Sequence, residues 1–268
     1  MADNNALTIE NAQYEVLLKS KTAEALAEKL HLTDAQLVNA NTSLLTLLTD
    51  EKLRGASQVS KLRFAYQTAT FNYAHPNAIA PINYGGNIQA QLQYQAYIED
   101  VLACGGVDEI NAVALYKGIE YKAFINQWGY KELVLPERVE LTDIFEEKEV
   151  IGYYAYAKCK DGRVVTSLLS NDQIKTHATK YSKSYKSGTG VWVDSYDKMA
   201  RKTVIKAVAR IVLQMYPFDR LARSLQIDQA VFTDRGIEYL DNPRVNADGV
   251  IDQKPTNNLS ISEEEKGN

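Results

Sequence analysis

The chain has 268 residues, of which 45% are apolar and 24% are charged, a composition typical of soluble globular proteins with a buried core. This composition excludes a collagen, a coiled coil and a chain that is disordered throughout. The formal net charge is -4, and an evenly acidic chain would argue against nucleic-acid binding, which usually needs a basic domain.

Several protein classes are excluded because the sequence lacks the segments and motifs that are typical of them. No apolar run approaches the ~20 residues of a membrane span, and the first ten residues do not resemble a signal peptide. Cys104 and Cys159 are too few for a disulfide framework, so we expect a cytoplasmic protein without membrane contact. The three histidines are far apart and none pairs with a cysteine at zinc-ligand spacing, so we expect no metal and no other cofactor. No Gly-x4-Gly-Lys-Ser/Thr motif occurs, which argues against a P-loop ATPase.

The N-terminal third of the chain predicts helices. Leucine and alanine recur at three- and four-residue spacing over residues 8–30. Thr33 and Gln36 have capping-box spacing ahead of a second helix with an apolar face. We expect a third helix over residues 50–73, and the prolines that follow it predict a loop.

The middle of the chain changes from helical to strand periodicity. A polar helix is predicted over Gln91–Cys104, ended by two glycines. Beyond it the apolar residues alternate, and Asp161-Gly162 is typical of a type I′ hairpin turn. The predicted strands are residues 110–116, 131–135, 150–160 and 164–169. Because no helix separates them, we expect an α+β fold with a short antiparallel β-meander packed with several helices.

Two helices are expected after the meander. Asn171 can cap the first, which would run to about Tyr185. Asp194 can cap the second, which would run to about Met215, and a short helical stretch over residues 217–231 would follow.

The last part of the chain differs in composition from the rest. Residues 241–268 are polar, acidic and almost free of large apolar side chains, which predicts a disordered acidic tail. We therefore expect a single domain over residues 1–240, with a helical part at 1–75 and a core at 76–240.

The positive charge is concentrated in one segment. Residues 173–210 contain nine basic and two acidic residues, a net charge of +7, whereas the rest of the chain carries -11. Lys198, Lys202, Lys206 and Arg210 recur every four residues, which on a helix forms one row. The opposite side is apolar and is predicted to face the core; it consists of Val204, Ala207, Val208 and Ile211. No acidic residue lies between these four cations in sequence to offset their mutual repulsion. A bound polyanion would offset it. A solvated helix face is the alternative interpretation, but a second basic helix and a tryptophan loop beside the row favour a phosphate-binding surface.

Aromatic and amide side chains are further candidates. Tyr94, Tyr97 and Trp192 could stack on bases, because such stacking tolerates any sequence. Each of them alone could equally be a core residue, and Gln89 and Gln91 could equally be ordinary surface residues.

Three blocks of the sequence resemble the RecT-like single-strand annealing proteins of phages and prophages. Residues 190–206, GVWVDSYDKMARKTVIK, are similar to a family helix in which a Trp precedes Met-Ala-Lys/Arg-Lys-Thr. Residues 81–98, PINYGGNIQAQLQYQAYI, are similar to the family's Pro-Tyr and Gln-x-x-x-Gly-Tyr-x-Gly segment, although Gln93 and Ala96 replace its glycines. Residues 150–156, VIGYYAY, are similar to its Gly-Tyr/Ala-x-Ala strand. The blocks occur in the family's order and spacing.

The resemblance implies an ATP-independent recombination protein of the Red beta/RecT superfamily rather than an enzyme. Such proteins coat single-stranded DNA as rings or helical filaments, pair it with a complementary strand and hold the nascent duplex. Further copies of the chain, a phage exonuclease and the host single-stranded-DNA-binding protein are the partners that the resemblance implies. An acidic tail could recruit such a partner, or could equally suppress non-specific DNA binding.

The candidate DNA contacts lie mainly on the matched helix. They are Lys198, Arg201, Lys202 and Lys206, followed by Arg210, Lys180, Lys183, Trp192, Gln89, Gln91 and Tyr94.

Two other functions remain open from the sequence. A metal-dependent nuclease could use Glu99, Asp100, Asp108 and Glu109, although they form no D…E-x-K pattern. A non-DNA oligomeric scaffold could use the basic row between its subunits.

Overall fold

The computed structural model describes residues 12, 14–75, 78–139 and 148–239. The predicted acidic tail lies outside these residues. The helices are α1 (Lys21–Lys29), α2 (Asp34–Thr49), α3 (Gln58–Ala69), α4 (Tyr94–Ala103), α5 (Asn171–Tyr181), α6 (Lys183–Lys186), α7 (Val191–Asp194), α8 (Tyr196–Met215) and α9 (Asp219–Ile227). The strands are β1 (Ile79–Tyr84), β2 (Asn87–Leu92), β3 (Val107–Tyr116), β4 (Lys122–Ile125), β5 (Lys131–Val134), β6 (Val150–Cys159), β7 (Val164–Ser170), β8 (Ala230–Thr233) and β9 (Gly236–Tyr239).

All strand pairs in these residues are antiparallel, which confirms the α+β prediction. The predicted meander is a three-stranded sheet in the order β3-β6-β7. The strand predicted at residues 131–135 is not part of it, because β4 and β5 pair only with each other. A third sheet, in the order β1-β2-β8-β9, was not predicted.

The β1–β2 hairpin replaces a predicted loop and the first turn of a predicted helix. Gly85 and Gly86 connect the strands with φ of 57° and 81°, the positive values that a type I′ turn requires at both positions. Ile88, Ala90 and Leu92 are buried and alternate with polar residues, so the apolar period there is two. The predicted helix therefore begins at Tyr94 instead of Gln91. Pro81 is tolerated because β1 is an edge strand.

The hairpin predicted at Asp161-Gly162 exists, but its turn is not type I′. Gly162 has a φ of 84°, whereas Asp161 does not have a positive φ. The turn is closed by a 2.9 Å hydrogen bond from the Gly162 amide to the Cys159 carbonyl. The central residues are thus Lys160 and Asp161, and the glycine follows them.

The N-terminal helices largely confirm the sequence analysis. The Gln36 amide donates to the Thr33 hydroxyl at 3.3 Å, and the Gln36 side chain accepts from the Thr33 amide at 3.0 Å, so the capping box is present. The third predicted helix is shorter than expected. A 3-10 turn, Glu51–Leu53, precedes it, and Ser57 then caps α3.

The helices after the meander differ from the prediction in their first and last residues. Ser170, not Asn171, caps α5, which ends at Tyr181, and α8 begins after Ser195 rather than after Asp194. The stretch predicted as helical over residues 217–231 contains α9 and the start of β8. Apolar residues over 230–232 pair with β2 and β9 instead of continuing the helix.

Helix α8 lies at the centre of the fold. It packs against all three strands of the β3-β6-β7 sheet and against α4 and α9. Its buried side chains include Val204, Ile205, Val208 and Val212. This packing determines which side chains of the basic segment reach the surface.

Candidate nucleic-acid interface

The predicted basic row does not lie wholly on the solvent side of α8. Lys202 is among the buried residues of the helix, with a side chain only 7% exposed, and Lys206 is 13% exposed. Ala207 and Ile211, predicted to face the core, are only half-buried. The expectation of one exposed row opposite the apolar side is therefore wrong for its two central members.

Both central lysines are paired with one buried carboxylate. The Nζ atom of Lys202 lies 2.7 Å from Oδ1 of Asp228, and that of Lys206 lies 2.7 Å from Oδ2. The Asp228 side chain has no exposed surface. Burial alone would raise its pKa, but the two ammonium groups outweigh burial and hold the pKa of Asp228 below its usual range. A residue distant in sequence thus relieves the repulsion within the row.

Asp228 also fixes the end of β2. The Leu92 amide donates to Oδ1 of Asp228 at 3.0 Å. The next residue, Gln229, has a φ of 72° and donates its amide to the Ala90 carbonyl at 2.7 Å. The turn after α9 therefore joins α8 to the strand that carries Gln89 and Gln91.

Gln89, Gln91 and Tyr94 are half-buried around this turn, whereas Tyr97 is fully buried and is a core residue. Gln89 donates to the Gln229 carbonyl at 3.2 Å, and the Gln91 amide lies 3.3 Å from the Met199 sulfur on α8. Tyr94 is the first residue of α4. The structure thus brings the matched block at residues 81–98 and the matched helix at residues 190–206 together, and each glutamine side chain donates one hydrogen bond within the protein.

Arg201 occupies another side of α8. Its Nε lies 2.8 Å from Oδ2 of Asp197, and a terminal nitrogen donates to the Ala112 carbonyl on β3 at 2.6 Å. The side chain is 24% exposed. It is held in place by an acid and a strand carbonyl and still reaches the surface.

Other cations of the segment are exposed. Among the described residues, no ion pair is formed by Lys175, Lys180, Lys186, Lys198 or Arg210. The side chain of Lys183 lies outside the described ones, so its candidacy stays a prediction. The available positive charge is therefore at the two ends of the row and on α5 and α6.

Trp192 lies in an aromatic cluster rather than at the surface. Its exposure is 7%, and its ring centroid lies 6.1 Å from His177, 6.2 Å from Tyr185 and 6.1 Å from Tyr196. These rings belong to α5, α6 and α8, whereas Trp192 is in α7. The cluster thus joins four helices, and Trp192, which is buried within it, has little surface to offer to a base.

The acidic candidates of the nuclease hypothesis are largely engaged by cations. Arg220 contacts Glu99 at 3.2 Å and Asp100 at 2.6 Å, and Asp100 also accepts from the Tyr73 hydroxyl at 2.7 Å. Glu109 lies 2.8 Å from the Lys158 ammonium. Within the described ranges, no three His, Cys, Asp or Glu side chains are arranged to hold a metal ion.

Sequence reasoning missed Asp228 and the pairing of Asp100 with Arg220. One signal for Asp228 was available, since it stands between the apolar end of α9 and an apolar strand, where a carboxylate needs a partner. Nothing in the sequence indicated which cations would supply it.

Within the described ranges, no helix has the length and apolarity that crossing a membrane requires.

Comparisons with known proteins agree with the resemblance seen in the sequence. The chain is 35% identical over 130 residues to the "Uncharacterized protein YqaK" of Bacillus subtilis (strain 168). This match covers 47% of the chain but only 40% of that relative's length. A family model described as "RecT family" matches residues 38–219. That range contains the β1–β2 hairpin, the β3-β6-β7 sheet and the whole of α8, and the chain therefore belongs to the RecT family.

Proposed function

We propose that this protein binds single-stranded DNA and anneals complementary strands without ATP, acting as an oligomer. Its place in the RecT family supports single-strand annealing in recombination. The absence of a P-loop motif from the sequence supports independence from ATP. The protein would then bring strands together without making or breaking a covalent bond.

One observation carries the proposal: exposed cations without ion pairs to described residues gather in the segment of net charge +7. Lys180 and Lys186 lie near the aromatic cluster of Trp192, and Lys198 begins the row on α8. Lysines that neutralise DNA phosphates release the counterions condensed on the DNA, which favours binding at low salt. Contacts to the backbone leave base edges free, so base pairing itself can test complementarity.

We assign different roles to the members of the basic row. Lys198, Arg201 and Arg210 reach the surface and are the proposed phosphate contacts on α8, together with Lys180 on α5. Lys202 and Lys206 are held by Asp228, and their direct contact with DNA stays a prediction. In this proposal they fix the position of α8 against β2.

The decisive experiment is annealing of two labelled complementary oligonucleotides without ATP. We expect the native chain to accelerate annealing, and the triple variant Lys180→Glu, Lys186→Glu, Lys198→Glu to lose most of this activity. The matched control reverses three exposed lysines elsewhere, Lys21, Lys29 and Lys122, so its net charge changes equally. Equal loss in both variants, or no annealing by the native chain, would contradict the proposal.

The same material tests the two alternatives. Labelled single strands incubated with the protein and magnesium should stay intact, whereas progressive shortening would favour a nuclease. Assembly that is independent of salt, together with no DNA binding, would favour a scaffold.

Electron microscopy of the protein with one strand, and then with the complementary strand added, tests the proposed oligomer and should reveal rings or filaments.

The proposed partners follow from family resemblance alone. They are a phage exonuclease and the host single-stranded-DNA-binding protein, recruited through residues 241–268. Deletion of these residues should leave annealing by the purified protein unchanged and abolish co-purification with the partner. Loss of annealing on this deletion would instead assign the tail to the DNA site.

A further inference from the structure

A row of aromatic rings leads from the core to the surface at the basic segment. It starts at Tyr153 on β6, which is 2% exposed, and its ring centroid lies 6.4 Å from that of Tyr196. Tyr196 lies 6.1 Å from Trp192, and Trp192 lies 6.1 Å from His177. Each ring thus contacts the next, and the row crosses the Trp192 cluster.

The row ends at an exposed ring, that of Tyr181. Its centroid lies 4.7 Å from that of His177 at an interplanar angle of 48°. Tyr181 is the last residue of α5 and is 62% exposed. The Tyr181 ring packs against His177, which itself packs against the buried Trp192, so its position is fixed on the side that faces the protein. Much of its remaining surface faces solvent.

The surroundings of Tyr181 favour an anionic ligand. The ammonium group of Lys180 lies 5.2 Å from the Tyr181 ring centroid, and Lys175 and Lys186 are exposed without ion pairs to described residues. The flexible lysine side chain can turn from the ring to a phosphate. The exposed Tyr181 ring packs on His177 and lies in a segment whose exposed lysines form no ion pair with described residues. It therefore supplies a stacking surface beside positive charge, the two elements of single-strand binding sites.

We propose that Tyr181 is a base-stacking platform on which one nucleobase of the bound single strand rests. Lys180, Lys175 and Lys186 neutralise the phosphates on either side of that base. The inference rests on the proposed function and adds to it a residue that discriminates between strand states. A base in a duplex already stacks on its neighbours, so the platform favours single-stranded over double-stranded DNA.

The test compares the affinities of the native chain and Tyr181→Ala for three DNAs of equal length: a normal single strand, an abasic single strand and a duplex. We expect Tyr181→Ala to weaken binding of the normal strand about tenfold, the loss of one stacked base. Affinity for the abasic strand and the duplex should not change. The slope of log affinity against log salt should also be unchanged, because stacking releases no counterions.

Matched variants separate stacking from charge and from folding. Tyr181→Phe keeps the ring and should bind normally, whereas Lys180→Ala should reduce the salt slope. Tyr84→Ala removes another partly exposed tyrosine, outside the basic segment, and should not alter the preference for single strands. Tyr181→Trp keeps an aromatic ring at this position and should bind single-stranded DNA, unlike Tyr181→Ala. Its fluorescence should be quenched by single-stranded DNA more than that of the native chain.

The outcomes distinguish this inference from the function on which it rests. If the native chain does not bind single-stranded DNA, the proposed function fails. If it binds and Tyr181→Ala binds equally well, or if the loss is the same on the abasic strand, only the platform fails. An unchanged unfolding midpoint of Tyr181→Ala shows that the comparison concerns the site and not the fold.

Discussion

Lys202 and Asp228 are 26 residues apart in sequence, and their charged groups meet at 2.7 Å in the interior of the protein. Lys206 contacts the other oxygen of the same carboxylate, also at 2.7 Å. One acid therefore balances two members of a basic row that the sequence alone places on a single exposed face. The pairing divides the basic segment into buried structural cations and exposed cations available to a ligand.

We expect Asp228→Ala to destabilise the fold by about 3–5 kcal/mol, because two nearly buried ammonium groups lose their shared carboxylate. The Leu92 amide also loses its acceptor. Urea unfolding measures this change. The control Glu109→Ala breaks an exposed pair with Lys158 and should cost about 0–1 kcal/mol. Similar small costs for both variants would show that Asp228 is not an essential counterion.

The stability that Asp228 contributes should depend on pH in a definite direction. Because the pKa of Asp228 is lowered in the folded protein, its contribution is complete above the unfolded value of ~3.9 and is lost as pH falls through the folded value. The measurement is the difference in unfolding free energy between the native chain and Asp228→Asn. It should be constant from about pH 7 to 5 and shrink below about pH 4. A difference that grows on acidification would mean that the folded pKa is raised instead.

Lys198 and Lys202 should respond oppositely to alanine substitution. Lys198→Ala should change stability by less than ~0.5 kcal/mol and reduce the salt slope of single-strand binding by about 0.7, the value for one phosphate contact. Lys202→Ala should instead cost several kcal/mol of stability, since it leaves a buried pair broken. Unfolding curves and binding titrations over a salt range separate the two effects. A stable Lys202→Ala chain with a reduced slope would identify Lys202 as a phosphate contact.

Trp192→Ala should destabilise the protein by about 3–5 kcal/mol, as expected for removing a buried aromatic side chain. Trp192→Phe keeps a ring within the cluster and should cost less and retain single-strand binding. Thermal unfolding and a binding titration on both variants give the comparison. The contrary result, a fully stable Trp192→Ala chain that has lost only DNA binding, would make Trp192 a stacking residue.

Local signals in the sequence predicted much of the fold. The Thr33–Gln36 capping box and the period-two pattern of β6 were recognised because their causes lie within a few residues. The β1–β2 hairpin was missed although its signals were present, since Gly85-Gly86 is a typical two-residue turn and Ile88, Ala90 and Leu92 alternate. The glutamines of this stretch fit the polar face of a helix as well as the exposed side of a strand.

The sequence by itself determined the family and the location of the positive charge, because both depend on which residues occur and in what order. The tertiary structure decided which of those charges reach the surface. Whether a lysine on α8 faces solvent depends on what packs against the helix, and the carboxylate that holds Lys202 and Lys206 follows a different helix. Likewise, the packing of four helices around one aromatic cluster buries Trp192. The same packing leaves Tyr181 as the exposed end of the row of rings. Burial and pairing are properties of neighbours in space, and the order of residues along the chain does not specify them locally.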